Sequence, residues 1–164
     1  MKNLTLTKSS FAAVCVVLFV VFEAPTVMAN EIQQIQAKAD RYYQQGIFNK
    51  AYKNYLKLAK KGDHYSQDRI SQMYVKGEGK SASLNQAYAW SVLAAESGED
   101  QLVKNSIMLL QHTNDPAKAK VSAAKLKKKY GKQALDRKAA LRAKHDNQRQ
   151  SGRCTGTRLP CKAG

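Results

Sequence analysis

The chain has 164 residues and a formal net charge of +16. Residues 30–116 carry 11 Lys/Arg against 9 Asp/Glu, a net of +2, while residues 117–164 carry 15 against 2, a net of +13. Once a leader is set aside, that length holds one modest domain and excludes a second. A near-neutral body with a strongly basic tail bears on the partners it can have.

Residues 1–29 read as a secretory leader. Lys2 and Lys8 precede FAAVCVVLFVVF, an apolar run of 12 residues over 11–22, and Val27-x-Ala29 has the small-residue pattern of a cleavage site. Twelve helical residues span roughly 18 Å, short of a ~30 Å hydrocarbon core, which argues against a retained anchor. Cys15 lies inside the run, not behind it, which argues against a lipoprotein. Cleavage is expected after Ala29, giving an exported, periplasmic chain from Asn30 to Gly164. Cys154 and Cys161 then form an even pair, read as one disulfide over a redox pair or half a metal site. Their spacing is Cys-x6-Cys, and no histidine lies nearby.

In EIQQIQAKADRYYQQG, Ile32, Ile35, Ala39 and Tyr42/Tyr43 recur at steps of three and four, and Gly46 closes the predicted helix. IFNKAYKNYLKLAKKG gives a second, with Ala51, Tyr55 and Leu58/Ala59 on one face and Gly62 closing. SQDRISQMYVKG repeats the first helix at a spacing of 31, and AYAWSVLAAESGED repeats the second at 36 after the longer loop EGKSASLNQ. QLVKNSIMLLQH is strongly apolar and is expected to be a buried helix. TNDPAKAKVSAAKLKKKYG opens with Asp115 as N-cap and Pro116 at the first helical position, and ends at Gly131. No segment alternates with period two, so no sheet is expected.

The predicted fold is all-α: a short α/α solenoid of about three antiparallel helix pairs over 30–131, the last helix capping it. A basic, partly helical extension follows over 132–164. One pair cannot bury its own apolar face, whereas about three stacked pairs share a core.

The residues that repeat resemble Sel1-like repeats, the α/α solenoid relatives of tetratricopeptide repeats. The second unit carries the pattern best: Met73-Tyr74-x-x-Gly77-x-Gly79, Ala87-Tyr88-x-Trp90 and Ala94-Ala95-x-x-Gly98. The first unit is a degenerate copy with Tyr43-x-x-Gly46 and Ala51 through Gly62. The resemblance covers roughly residues 37–112. It implies a curved scaffold whose concave side binds other proteins, often as an adaptor in a bacterial envelope. The repeats here hold no cysteine, so properties of the cysteine-stapled members do not carry over.

No catalytic constellation stands out. GEGKS at 77–81 lacks the upstream glycine and strand of a phosphate loop, and reads as a turn between helices. His64, His112 and His145 are scattered without metal spacing, and helix capping accounts for Asp100 in the cluster Glu96, Glu99 and Asp100. No enzyme activity, cofactor or metal is expected.

Binding is the expected function, and the aromatics point two ways. Tyrosine and tryptophan pack such helices, and they are also enriched at interface hot spots. Helix phase puts Tyr52 and Tyr88, one step after the core alanines, on an exposed face. With Tyr55 and Trp90 they form the candidate partner-binding set. Lys125, Lys127, Lys128, Lys129, Lys132, Arg137, Lys138, Arg142 and Lys144 form the candidate anionic-surface set. The tail lacks the broad apolar face of an interfacial helix, so it is expected to adhere by charge without inserting. The expected partner is an unidentified envelope protein held by the repeat surface with electrostatic help from the tail. The alternative is tail-driven binding of anionic membrane or lipopolysaccharide phosphates, with the repeats as a spacer. Export argues against nucleic acid as the physiological ligand, although it would attract the same charges.

Overall fold

The structure, a computed structural model, describes residues 24–153. Among these, every regular element is helical: α1 (Ala24–Gln44), α2 (Phe48–Ala59), α3 (His64–Lys76), α4 (Leu84–Ala94, continued by a 3-10 turn Ala95–Ser97), α5 (Asp100–His112), α6 (Pro116–Tyr130) and α7 (Lys132–Arg153). The helix α1 starts upstream of the expected cleavage point after Ala29.

Local chemistry sets the boundaries. The Asp63 carboxylate accepts the Ser66 N–H at 2.9 Å and starts α3. Asp115 accepts the Lys118 N–H at 2.9 Å ahead of Pro116, as expected. Each such cap stabilises its helix by about 1 kcal/mol. At α5 the N-cap is Glu99 without a side-chain bond, and Asp100 is the first helical residue, so Asp100 is not the cap. Asp100 instead places a negative charge in the first turn, which the helix dipole favours.

The core is organised around α4. Ala87, Ala89, Trp90, Ser91, Leu93 and Ala94 of α4 are all buried, while Asn85, Tyr88 and Val92 are half-buried; so wide an apolar arc calls for more than one covering helix. It packs against α3, α5 and α6, while α2 lies between α1 and α3. Small residues permit close approach. The Ser71 hydroxyl donates to the Ala87 carbonyl at 2.8 Å, bridging α3 and α4. Trp90 stacks on Tyr130 at 6.0 Å between ring centroids and joins α4 to α6.

The expected burial of QLVKNSIMLLQH is corrected. The apolar helix α5 buries only Ser106 fully and exposes Val103, Ile107 and Met108, at 36%, 52% and 49%. The reason is its neighbour: α6 packs chiefly on α4 and barely touches α5. No helix covers the outer side of α5 among the described residues.

α7 starts directly after Gly131, and its first turns rest on the body. Ala134 is buried, and the Leu135 side chain lies so close to Gly62 that a Cβ there would meet Leu135 Cδ1 at 2.8 Å. From Asp136 to Arg149 every residue is exposed.

Two glycines with left-handed backbone differ in what surrounds them. Gly46 (φ +72°) has open space around its Cα, whereas a Cβ on Gly79 (φ +74°) would lie 2.7 Å from the Phe48 carbonyl oxygen. Backbone cannot rotate away as a side chain can. Gly46→Ala is expected to cost about 1 kcal/mol, the left-handed penalty alone. Gly79→Ala is expected to cost on the order of 2–3 kcal/mol, with the clash added to the strain. Denaturant unfolding of the two variants checks the order.

Candidate docking surface

The aromatic residues picked out by sequence serve mainly the core. Tyr55 has no exposure, Trp90 3% and Tyr52 6%. The expected exposure of Tyr52 is therefore corrected. Because α2 is covered by both α1 and α3, its buried arc takes in adjacent positions Ala51/Tyr52 and Leu58/Ala59. The Tyr52 hydroxyl bonds that of Tyr74 at 2.9 Å, and burial, with that bond, pushes the Tyr52 pKa well above its ordinary value. Tyr55 donates to the Asp40 carboxylate and is pushed up likewise, first by burial and then by that bond. Of the four, Tyr88 is the one left half-buried.

The open surface lies elsewhere, along the outer face of α3 and its border with α5. Asp68, Ser71, Gln72 and Val75 of α3 and Asn105, Met108, Leu109 and His112 of α5 line a groove of about 330 Å³. Helical spacing brings them together, since each set recurs at steps of three and four. Val75 is 44% exposed and Met108 49%, so the groove is open to solvent along an apolar wall.

One charged group faces it. The Asp68 carboxylate accepts from Gln72 Nε2 at 2.6 Å. Burial pushes its pKa above the ordinary carboxylate value and the nearby Glu99 adds to the rise, against hydrogen bonds from Gln72 and Asn105 and the charge of Arg69. Among the described residues its carboxylate has no Lys, Arg or His nitrogen within 4.0 Å; the ion pairs found are Lys127–Glu96 and Lys132–Asp136.

Aromatic and polar contacts stiffen the α1 side of the same face. The Arg69 guanidinium lies 4.2 Å from the centroid of the Tyr43 ring and 5.6 Å from that of Tyr55, and its Nη1 donates to Gln72 Oε1 at 3.0 Å. Tyr65 donates to Asp40 at 2.8 Å. Gln72 is held from both sides, which fixes the edge of the groove.

The second surface is the basic arm. Lys125, Lys127, Lys128, Lys129, Lys132, Arg137, Lys138, Arg142 and Lys144 are all exposed on α6 and α7. Glu96 anchors it: one carboxylate oxygen pairs with Lys127 Nζ at 3.1 Å, and the other accepts the Lys132 backbone N–H at 2.7 Å. A carboxylate at the start of α7 is also favoured by the helix dipole. This role of Glu96 was not visible in sequence, because the two groups it joins lie 31 and 36 residues away. Lys138 Nζ donates to the Lys129 carbonyl at 2.7 Å and, with Lys129, flanks the Tyr130 ring.

The other sequence features are placed as follows. GEGKS forms the turn between α3 and α4. His64 Nδ1 contacts Gln67 Oε1 at 3.1 Å and His112 Nδ1 contacts the Met108 carbonyl at 2.8 Å, while His145 is exposed on α7. Among the described residues no three His, Cys, Asp or Glu side chains are placed to hold a metal ion. Cys15, Cys154 and Cys161 lie outside the described residues, and so does the proposed disulfide. No helix among the described residues is long and apolar enough to cross a membrane. Comparison with protein-family models, curated proteins and solved structures finds no match for the chain.

Asp68 yields a pH prediction. Its folded-state pKa is raised above its unfolded value, so ionisation penalises the folded state. The penalty is fully present above the folded pKa and vanishes below the unfolded one. Asp68→Asn is therefore expected to match or exceed the parent in thermal stability at neutral pH, with the gap shrinking as pH falls through the carboxylate range. Melting curves across that range check it, and a variant markedly less stable at neutral pH would contradict the assignment.

Proposed function

We propose that this chain is a non-enzymatic binding scaffold of the bacterial cell envelope, holding a protein partner in the groove between α3 and α5. The single observation that carries the reading is that groove: an exposed apolar wall on a helix whose outer side no helix covers among the described residues. Contiguous exposed apolar surface marks docking sites more often than scattered exposed side chains do. The reading includes a Sel1-like α/α solenoid of antiparallel helix pairs, supported by the repeat spacings of 31 and 36 and by the successive packing of α1 through α5, each on the next. The basic arm adds long-range attraction to an acidic partner or an anionic surface. Export and a periplasmic location follow from the leader, and a disulfide between Cys154 and Cys161 from that compartment. Tyr88 remains the sequence-chosen tyrosine with a partly open side chain, while Tyr52, Tyr55 and Trp90 contribute by holding the helices in place.

The alternative is tail-driven binding of anionic phospholipid or lipopolysaccharide phosphates, favoured by the unbroken exposure of α7 from Asp136 to Arg149. Binding to anionic but not neutral vesicles, with no protein partner needed, distinguishes it.

Affinity capture from periplasmic and membrane extracts compares the full chain, Met108→Asp, and a chain ending at Lys138, which keeps Ala134 and Leu135 packed. Met108 is half exposed, so its substitution should leave stability within about 0.5 kcal/mol. Met108→Asp is expected to lose a discrete protein partner that the other two forms retain. The shortened chain should associate more slowly and with less salt dependence. A partner held equally by Met108→Asp removes the groove from the function; an association rate indifferent to salt removes the arm.

A further inference from the structure

We propose that the groove between α3 and α5 receives the basic arm of a second copy of this chain, with Leu141 as the anchor. The inference rests on the groove being a docking face and adds its occupant. Two features of the same molecule, neither of which can satisfy the other in place, are complementary in shape and charge.

The groove offers about 330 Å³ walled by Val75, Met108 and Leu109, with the unpaired Asp68 carboxylate at its side and Glu99 close enough to act on it. Apolar cavities of roughly 150 Å³ already hold a benzene molecule, so a leucine fits with room for part of a neighbouring side chain. Burying a carboxylate further without a cation is costly, so an occupant must bring positive charge with its apolar group.

The arm presents that combination. Leu141 is 66% exposed, the most exposed of the large apolar side chains among the described residues. One helical turn away on either side stand Arg137 and Lys144, at the i−4 and i+3 positions that share its face, with His145 at i+4, while Lys138 at i−3 turns back onto the Lys129 carbonyl. An exposed leucine between two cations, Arg137 and Lys144, gains nothing in the isolated chain. It suits an apolar cavity with an acidic side, in the manner of an amphipathic helix laid in a groove.

Leu141 does not reach the groove of its own chain. α7 is one continuous helix, fixed at its start by Glu96 and by Leu135 against Gly62, and it holds Leu141 in solvent. The partner copy supplies what is missing on both sides. Two chains of +16 repel, but at physiological salt that repulsion is screened beyond about 8 Å. Arm-to-groove docking also sets each arm over a near-neutral body and away from the other arm. If both copies dock in this way the interface is the same on each, and the pair closes on itself.

Two measurements on the full chain test this. Sedimentation from about 1 μM to about 1 mM, the range of weak interfaces, is expected to show a monomer–dimer equilibrium. Leu141→Asp and Met108→Asp, both at exposed positions and so expected to fold normally by circular dichroism, should each weaken it at least about tenfold. In parallel, a synthetic peptide of residues 136–153 is titrated into methyl-labelled chain. It is expected to shift the Met108 methyl signal, at least fivefold more weakly when the peptide carries Leu141→Asp or the chain carries Asp68→Asn. A chain monomeric throughout, a dimer indifferent to both substitutions, or a Met108 methyl unmoved by the peptide each overturns the proposal. If Met108→Asp loses a foreign partner while the parent stays monomeric, the groove still docks proteins and only self-occupancy is refuted. If the dimer needs Met108 but no foreign partner does, self-occupancy stands and the partner reading falls.

Discussion

The arrangement of this protein depends on α4, which three other helices enclose over most of its surface. Of its eleven residues Ala87, Ala89, Trp90, Ser91, Leu93 and Ala94 are buried, while Asn85, Tyr88 and Val92 mark a half-open face. The buried residues must be enclosed, and small side chains let the enclosing helices come close enough for the Ser71 hydroxyl to reach a backbone carbonyl. α3, α5 and α6 each take part of that surface. Trp90 extends furthest and is closed off by the flat stack of Tyr130.

That demand has a consequence at α5 and α6. α6 can cover α4 or pair with α5, and it covers α4, where an indole and several buried alanines wait. Burial of such a surface outweighs the narrow stripe α6 could offer to α5. α5 is left as an edge helix, with one side on α4 and the other open. The open apolar groove is thus a by-product of how the core is satisfied, and its one carboxylate has no cation within ion-pair distance among the described residues.

The basic arm is tied to the same core through its junction. Glu96 ends the α4 unit, pairs with Lys127 and takes the first N–H of α7. A negative charge in a predominantly positive region is therefore spent on geometry: it sets where α7 leaves the body and which residues project. From Asp136 to Arg149 every residue of α7 is exposed, so its direction is decided within its first turns.

Much of the helical content was legible in the amino-acid order, because caps and apolar spacing act over three or four residues. Asp115-Pro116 and the closing glycines are local signals, and the structure places helix ends there. The site was less legible. Tyr52 was read as exposed from its phase beside Ala51, yet two flanking helices widen the buried arc of α2 to include both. QLVKNSIMLLQH was read as buried from its composition, yet composition cannot say whether a neighbour arrives to cover it. By itself, the sequence determined helices, their ends and a strongly basic C-terminal segment, since these follow from bonded neighbours and counted charges. Only the tertiary structure decided that α6 would cover α4, that α5 would stay open and that Asp68 would stand without a cation. Those outcomes turn on competition between surfaces far apart in the chain, which no local pattern records.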